Sequence, residues 1–181
     1  KYHDEELAGK NILISGSGNV AIFAAEKAIN LGAKVLTMSD SSGFIHDANG
    51  LDDEKLAAIK RIKLQERGRI SDYTNEFDAQ YHEGERPWSV AADVALPCAT
   101  QNEISGDEAR TLVENGCKYI VEGANMPTVQ EGIDYFKENN ILFAPSKAAN
   151  AGGVAVSGLE MSQNSSKISW SEKEIDGLLS G

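Results

Sequence analysis

The feature that most limits the fold of this chain is the stretch from Asn11 to Asp40. It contains two short apolar runs, NILIS and KVLTMS, and each has the composition and length of a buried β-strand. Apolar residues between the two runs recur at helical spacing, and Gly32 is placed to end that helix. A strand, a helix and a second strand in so short a stretch predict a parallel βαβ unit.

The turn between the first strand and the helix reads GSGNVA. In such a turn, Gly16 permits a tight bend, Gly18 lets a pyrophosphate approach the backbone, and Ala21 lets helix and strand pack closely. Asp40 ends the second strand, near the spacing expected for a carboxylate that binds a ribose. The pattern favours dinucleotide binding. A plain strand-to-helix turn and a methyltransferase that uses S-adenosylmethionine remain open as alternatives.

The rest of the chain continues the alternation of buried strands and helices. Five strands are predicted, near residues 12, 35, 94, 120 and 142. Helices are predicted in LDDEKLAAIKRIKLQERG with Asp52 as cap, in SDYTNEF, in SGDEARTLVENG with Ser105 as cap, and in TVQEGIDYFKENN. Two more are predicted in NAGGVAVSGLEMSQN and in SEKEIDGLLS, the second with a capping box of Ser171 and Glu174. SSGFIHDANG is rich in turn formers and is predicted to be a short excursion.

This alternation predicts an α/β fold of the Rossmann type, a doubly wound and mostly parallel sheet with helices on both faces. We expect one domain over residues 1–181. Ligands bind such sheets at the carboxyl ends of the strands. The segments GSGN, DSS, CATQN, GANMP and SKAANAGG each follow a predicted strand, so they would converge on one edge.

Composition excludes some partners. The formal net charge of -11 disfavours nucleic acid and anionic membranes, which such a chain would repel. No apolar run is long enough to span a bilayer and no signal peptide is visible, so we expect a cytoplasmic protein. Cys98 and Cys117 lack metal-type spacing and are expected to be buried thiols, with no metal site. Because the chain begins with Lys1, we expect it to be a piece of something longer.

Five segments carry a family resemblance: SGSGNVA, SDSSG, PWSVAADVALPCATQNEI, VEGANMPT and PSKAANAGGVAVSGLEMSQN. Together they resemble the hexameric glutamate dehydrogenases of bacteria, nearly end to end. The resemblance implies a homohexamer of two-domain subunits that converts glutamate to 2-oxoglutarate and ammonium, or the reverse. In that family one domain carries the catalytic lysine, in a glycine-rich segment, and a catalytic aspartate, and the other binds the nicotinamide cofactor.

The sequence has no lysine set among glycines, so it holds only the cofactor domain of that resemblance. We therefore expect no catalytic residue here and no activity from this piece alone. Glutamate or 2-oxoglutarate would meet it only through the missing domain. A stand-alone module that binds or senses NAD(P) without catalysis remains the alternative.

The resemblance also implies site residues. The pyrophosphate would be lined by Ser17, Gly18 and Val20 of the glycine loop that Gly16 begins, and Asn19 would contact the cofactor directly. The ribose and nicotinamide side would be bordered by Ala99, Thr100, Gln101, Asn125 and Asn150. Ser157 matches a serine that reaches the γ-carboxylate of glutamate, the one substrate ligand this domain would supply.

At Asp40, physical chemistry and the family resemblance favour different cofactors. A carboxylate there would bind the 2′-hydroxyl of NAD and repel the 2′-phosphate of NADP. Yet NADP-using members of the family keep an Asp-Ser pair at this place, and they use a neighbouring hydroxyl and bases from the next helix. Ser41 and Ser42 could supply hydroxyls, and Lys63 and Arg69 match the bases, although a solvated helix face would also explain the two bases. NADP is favoured, and NAD or dual use stays open.

Overall fold

The computed structural model describes residues 6–149 of the chain. The chain divides into two units between Ser146 and Lys147, and the sheet belongs to the first. In the described residues seven strands form one sheet, in the order β4-β3-β2-β1-β5-β6-β7. The strands are β1 Asn11–Ile14, β2 Lys34–Asp40, β3 Gly43–Leu51, β4 Gln80–Glu83, β5 Val94–Leu96, β6 Tyr119–Val121 and β7 Leu142–Ala144. The predicted helices within residues 150–181, with their Ser171–Glu174 capping box, lie outside the described residues.

All of the described α-helices but the last lie in segments predicted to be helical, and the last lies in SKAANAGG, which is expected only to follow a strand. They are α1 Asn19–Asn30, α2 Asp53–Lys60, α3 Gly106–Glu114, α4 Gln130–Glu138 and α5 Ser146–Ala149. A π-helical turn, Arg61–Gln65, continues α2, and short 3-10 helices cover Ile70–Asn75 and Pro87–Ser89. The two caps predicted within the described residues are confirmed: the Asp52 side chain accepts from the Lys55 N–H at 2.9 Å, and Ser105 forms a capping box with Glu108.

The core lies on both faces of the sheet because neighbouring residues of a strand point in opposite directions. Ile12 and Ile14 of β1 pack with α1 and α2, whereas Leu13 between them packs with α3 and α4. The α/β fold with helices on both faces of a mostly parallel sheet is therefore confirmed. In the part of the chain that is described, no helix has the length and apolar character needed to cross a bilayer.

The prediction for SSGFIHDANG is wrong. This segment forms most of β3, which runs antiparallel to β2, and β4 pairs antiparallel with β3. Its polar and glycine residues suggested a turn, but Phe44 and Ile45 are fully buried and Phe44 stacks on His82 with ring centroids 4.5 Å apart. Asp47 is also fully buried, because Lys55 and Tyr73 supply its partners. The sheet therefore has two strands more than the five predicted.

Candidate functional site

The glycine loop follows β1 at the carboxyl edge of the sheet. Gly16 has φ +85°, which favours glycine, and a Cβ there would lie 3.0 Å from the Cys98 carbonyl oxygen and 3.2 Å from Ala99 Cα. The Gly16 N–H donates to Ser39 Oγ at 2.7 Å, and its carbonyl accepts from the Ser39 N–H at 3.1 Å. The absence of a side chain at Gly16 thus lets the ends of β1, β2 and β5 come together.

Helix α1 begins directly behind this loop. Gly18 is its N-cap residue, no side chain caps the helix, and a Cβ on Gly18 would meet no atom within 4 Å. Ser17 is buried, whereas Asn19 and Val20 are exposed in the first turn. The N–H groups of that turn therefore face open space with a partial positive charge, which fits an anionic group such as a pyrophosphate.

The loop after β5 faces the glycine loop. The Cys98 N–H donates to Ser15 Oγ at 2.9 Å, and the Ala99 and Thr100 N–H groups donate to Glu103 Oε1 at 3.0 and 3.3 Å. The side chains of Ala99 and Thr100 are exposed, whereas Glu103 is only 2% exposed. A buried carboxylate thus fixes the backbone of this loop opposite Gly16.

Between these loops lies a cleft of about 510 Å³. Seven predicted site residues line it: Gly16, Ser17, Gly18, Asp40, Ser41, Ala99 and Thr100. Sequence reasoning missed others that share the lining, including Gly84, Glu85, Arg86 and Glu103. The Gly84–Arg86 segment gave no signal because it follows β4, a strand that was itself missed. Glu103 could have been found, because it is a charged residue within CATQNEI, a segment already predicted to border the site.

The predicted phosphate-binding residues form one cluster beside the cleft. Lys63 Nζ lies 2.7 Å from Asp40 Oδ2 and donates to the Gly68 carbonyl oxygen at 2.8 Å. Arg69 Nη1 donates to Ser41 Oγ at 3.0 Å and is otherwise exposed. Lys63 therefore pairs directly with the carboxylate that ends β2, and Arg69 binds the hydroxyl of the next residue.

Asp40 uses both of its oxygens within the protein. Oδ1 accepts from the Ser42 N–H at 2.9 Å and from Ser42 Oγ at 2.6 Å, and Oδ2 accepts from Lys63 and from the Ile70 N–H at 2.8 Å. Burial raises the pKa of this carboxyl, but these hydrogen bonds more than offset burial and lower the pKa to about 2. Asp40 is therefore ionised at neutral pH, and its lone pairs are already occupied.

Of the four other predicted residues, two belong to the described part of the chain, and neither of these lines the cleft. Gln101 and Asn125 are exposed in the loops after β5 and β6 and do not line the cleft, although the Asn102 N–H donates to the Met126 carbonyl oxygen at 3.0 Å and joins the two loops. Asn150 and Ser157 lie outside the described residues.

Glu103 connects three segments around the cleft: the end of β1, the loop after β5 and the segment that follows β4. Its side chain holds the Ala99–Thr100 backbone and bonds Ser15, while its carbonyl oxygen accepts from Arg86 Nη1 at 2.8 Å and from Trp88 Nε1 at 3.3 Å. Burial raises the pKa of this carboxyl, and its hydrogen bonds and the charge of Arg86 offset the rise only in part. The charged form of Glu103 therefore costs stability at neutral pH.

This cost gives a stability prediction. We expect Glu103→Gln to keep the free energy of unfolding at pH 7 or to increase it, because a glutamine oxygen accepts the same N–H groups without a buried charge. The advantage should vanish as pH falls below about 4.3, where glutamate is protonated in both the folded and the unfolded chain. Glu103→Ala should lose about 1–3 kcal/mol, because two N–H groups lose their acceptor. Urea unfolding from pH 4 to 8 measures both variants, and a Gln variant as unstable as the Ala variant would refute the explanation.

The sequence model of the Glutamate/Leucine/Phenylalanine/Valine dehydrogenase family matches residues 1–181. The chain is 54% identical over 175 residues to the NADP-specific glutamate dehydrogenase of Haemophilus influenzae, which covers 97% of this chain and 39% of that protein. It is 56% identical over 179 residues to the glutamate dehydrogenase of Bacteroides thetaiotaomicron, covering 99% of this chain and 40% of that protein. Among solved structures, Plasmodium falciparum glutamate dehydrogenase 2 matches with a TM-score of 0.90 and 52% identity, over 96% of this chain and 38% of that chain.

The chain thus spans about 40% of the length of these curated relatives. The match to the family model covers the whole sequence, and the structural match extends over nearly all of it. The resemblance read from the five sequence segments is confirmed, and this chain belongs to the Glutamate/Leucine/Phenylalanine/Valine dehydrogenase family.

Proposed function

We propose that this chain is the nicotinamide-dinucleotide-binding domain of a glutamate dehydrogenase, and that it prefers NADP to NAD. The name of the Haemophilus influenzae relative, NADP-specific glutamate dehydrogenase, supports both parts of the proposal. The whole protein would be a cytoplasmic homohexamer that interconverts glutamate and 2-oxoglutarate, with its catalytic lysine and aspartate outside this chain. The chain by itself would bind the dinucleotide without oxidising glutamate. Two buried free thiols, Cys98 and Cys117, fit a reducing compartment.

The observation that carries the preference for NADP is the set of bonds around Asp40. A carboxylate selects NAD by accepting from the ribose 2′-hydroxyl, which requires a free lone pair. Four protein donors already use the oxygens of Asp40. Its charge is paired with Lys63, so its repulsion of a phosphate is reduced. Asp40 then serves to position Lys63 rather than to bind the ribose.

The remaining groups of the cluster suit a phosphate. Lys63 has three N–H donors, of which Asp40 and Gly68 use two. Arg69 binds Ser41 through Nη1 and can turn its other donors to an anion. A 2′-phosphate placed beside Ser41 would meet two cations in a partly buried site, where charge-assisted hydrogen bonds are strong.

The cleft supplies what the rest of a dinucleotide needs. The first turn of α1 offers N–H groups to the pyrophosphate, and Gly18 leaves room for it to approach the backbone. Ala99 and Thr100 border the opposite side with a backbone that Glu103 fixes. The bound cofactor supplies the chemistry by accepting or delivering a hydride. The residues of this chain hold and orient it.

Calorimetric titration of the chain with NADP and with NAD tests the proposal. We expect NADP to bind more tightly, and Lys63→Ala to weaken NADP about tenfold or more while leaving NAD nearly unchanged, because a charge-assisted hydrogen bond is lost. Lys60→Ala is the matched control, since Lys60 lies on the same helix and pairs with Glu26 instead. Equal losses for NADP and NAD would remove Lys63 from the phosphate site, and no binding of either would refute the function.

A further inference from the structure

The Gly84–Arg86 segment forms a wall of the cleft that sequence reasoning did not find. It follows β4, and the Gly84 N–H donates to the Ser42 carbonyl oxygen at 2.8 Å, next to the end of β2. Behind it, Trp88 is 1% exposed and donates from Nε1 to the Glu103 carbonyl oxygen. The segment is therefore held at both ends while it crosses the carboxyl edge of the sheet.

Arg86 is anchored in this wall but stays half-exposed. Its Nη1 donates to the Glu103 carbonyl oxygen at 2.8 Å and to the Glu108 carboxylate at 3.2 and 3.3 Å. Its side chain nevertheless keeps 52% of its surface exposed. All three contacts within the described chain are made by Nη1, and hydrogen bonds lie in the guanidinium plane, so the faces of this group are left for a ligand of the cleft that Arg86 lines.

The other lining residues make this plane distinctive. Of the described residues that line the cleft, none has an aromatic ring and Arg86 is the one cation. The rest are small residues or acids. A guanidinium can stack its plane on an aromatic ring and is also attracted to the ring by its charge. A lysine ammonium has the charge but no plane to stack. Because Glu108 already pairs with the charge of Arg86, a ligand would be bound by the guanidinium plane rather than by its charge alone.

The chemistry of a dinucleotide brings its base to this wall. The adenine is bonded to the ribose carbon next to the 2′ position. A ribose whose 2′ substituent lies at Ser41 and Lys63 therefore places adenine near the end of β2. Gly84 is hydrogen-bonded to Ser42 at that same place. The phosphates have donors of their own in α1 and in the Lys63–Arg69 cluster.

From these contacts we propose that Arg86 binds the adenine base of the dinucleotide by stacking its guanidinium on the ring, an inference that rests on the proposed function. Calorimetry with NADP and with adenosine 2′-monophosphate tests it on the chain and on Arg86→Gln and Arg86→Lys. Both variants should bind both probes about tenfold more weakly, because neither carries a charged plane: glutamine ends in a planar but neutral amide, and lysine keeps the charge without the plane. Arg110→Gln is the matched control: Arg110 is on α3, pairs with Asp107 and Glu131, and should bind as the parent does.

The outcomes separate this proposal from the function on which it rests. If Arg86→Lys binds like the parent while Arg86→Gln is weakened, the group acts as a charge and the stacking proposal is wrong. Unchanged binding by both variants, with a parent that binds NADP, overturns the proposal alone. A parent that binds neither probe nor NAD overturns the proposed function as well. Thermal unfolding checks each variant, and Arg86→Lys, which can still donate to the Glu103 carbonyl oxygen, decides the matter if Arg86→Gln does not fold.

Discussion

Asp47→Ala should lower the free energy of unfolding by about 3–5 kcal/mol, because it leaves the partly buried Lys55 without its charge partner and the buried Tyr73 hydroxyl without its acceptor. Asp47 is fully buried on β3, where it lies 2.7 Å from Lys55 Nζ and accepts from Tyr73 Oη at 2.7 Å and from the Asn49 N–H at 2.9 Å. Burial, together with this carboxylate, raises the pKa of Tyr73, so its hydroxyl remains a donor at neutral pH. Urea unfolding at pH 7 measures the loss.

We also expect Asp47→Ala to disturb the cluster of Lys63 and Arg69. Lys55 lies on α2 and Tyr73 in the following 3-10 helix, the two elements between which Lys63 and Arg69 are placed. Loss of their common anchor should therefore weaken NADP binding at temperatures where the variant is still folded. Asp78→Ala removes an exposed carboxylate and should stay within about 0.5 kcal/mol of the parent. A loss of less than about 1 kcal/mol for Asp47→Ala would show that the pair contributes little.

Gly16→Ala should remove most of the affinity for a dinucleotide. The substitution costs about 1–2 kcal/mol at φ +85°, and its Cβ would press on the backbone of Cys98 and Ala99 at 3.0–3.2 Å. The loop after β5 would have to move away from the glycine loop, so the two sides of the cleft would no longer fit one ligand. We expect NADP to bind more than tenfold more weakly, as calorimetry would measure.

Gly116→Ala is the matched control for this experiment. Gly116 has φ +89°, and a Cβ there meets no atom within 4 Å. It should show the backbone cost of about 1–2 kcal/mol in unfolding and no change in binding. Equal binding by the Gly16 and Gly116 variants would mean that the contact between the two loops does not shape the site.

The parts of the fold that the sequence predicted are those set by local pattern. The βαβ unit from Asn11 to Asp40 has its strands, its helix and its glycine turn within one continuous stretch, and the caps at Asp52 and Ser105 depend on the next three residues. The antiparallel pair β3 and β4 depends on contacts distant in sequence. An aspartate such as Asp47 is typical of a turn. It is stable inside a strand here because Lys55 and Tyr73, which come from later in the chain, bind its carboxylate.

The site shows the same division. Gly16, Gly18 and Asp40 could be found because a motif fixes their spacing. The pairing of Asp40 with four donors could not be found, since Ile70 and Lys63 reach it only after folding. Arg86 donates a hydrogen bond to the backbone carbonyl oxygen of Glu103. A pattern of side chains in the sequence cannot predict a contact to the backbone.

We infer that Lys63 and Arg69 hold the 2′-phosphate of a bound dinucleotide. Phosphorus NMR of NADP in the presence of excess chain measures this directly, because the 2′-phosphate and the pyrophosphate give separate signals. A phosphate monoester has a second pKa of about 6. We predict that binding lowers the pKa of the 2′-phosphate, since two nearby cations favour its dianion, and that Lys63→Ala brings it back toward the free value. A 2′-phosphate that titrates in the complex as it does in free NADP would show that Lys63 and Arg69 do not bind it.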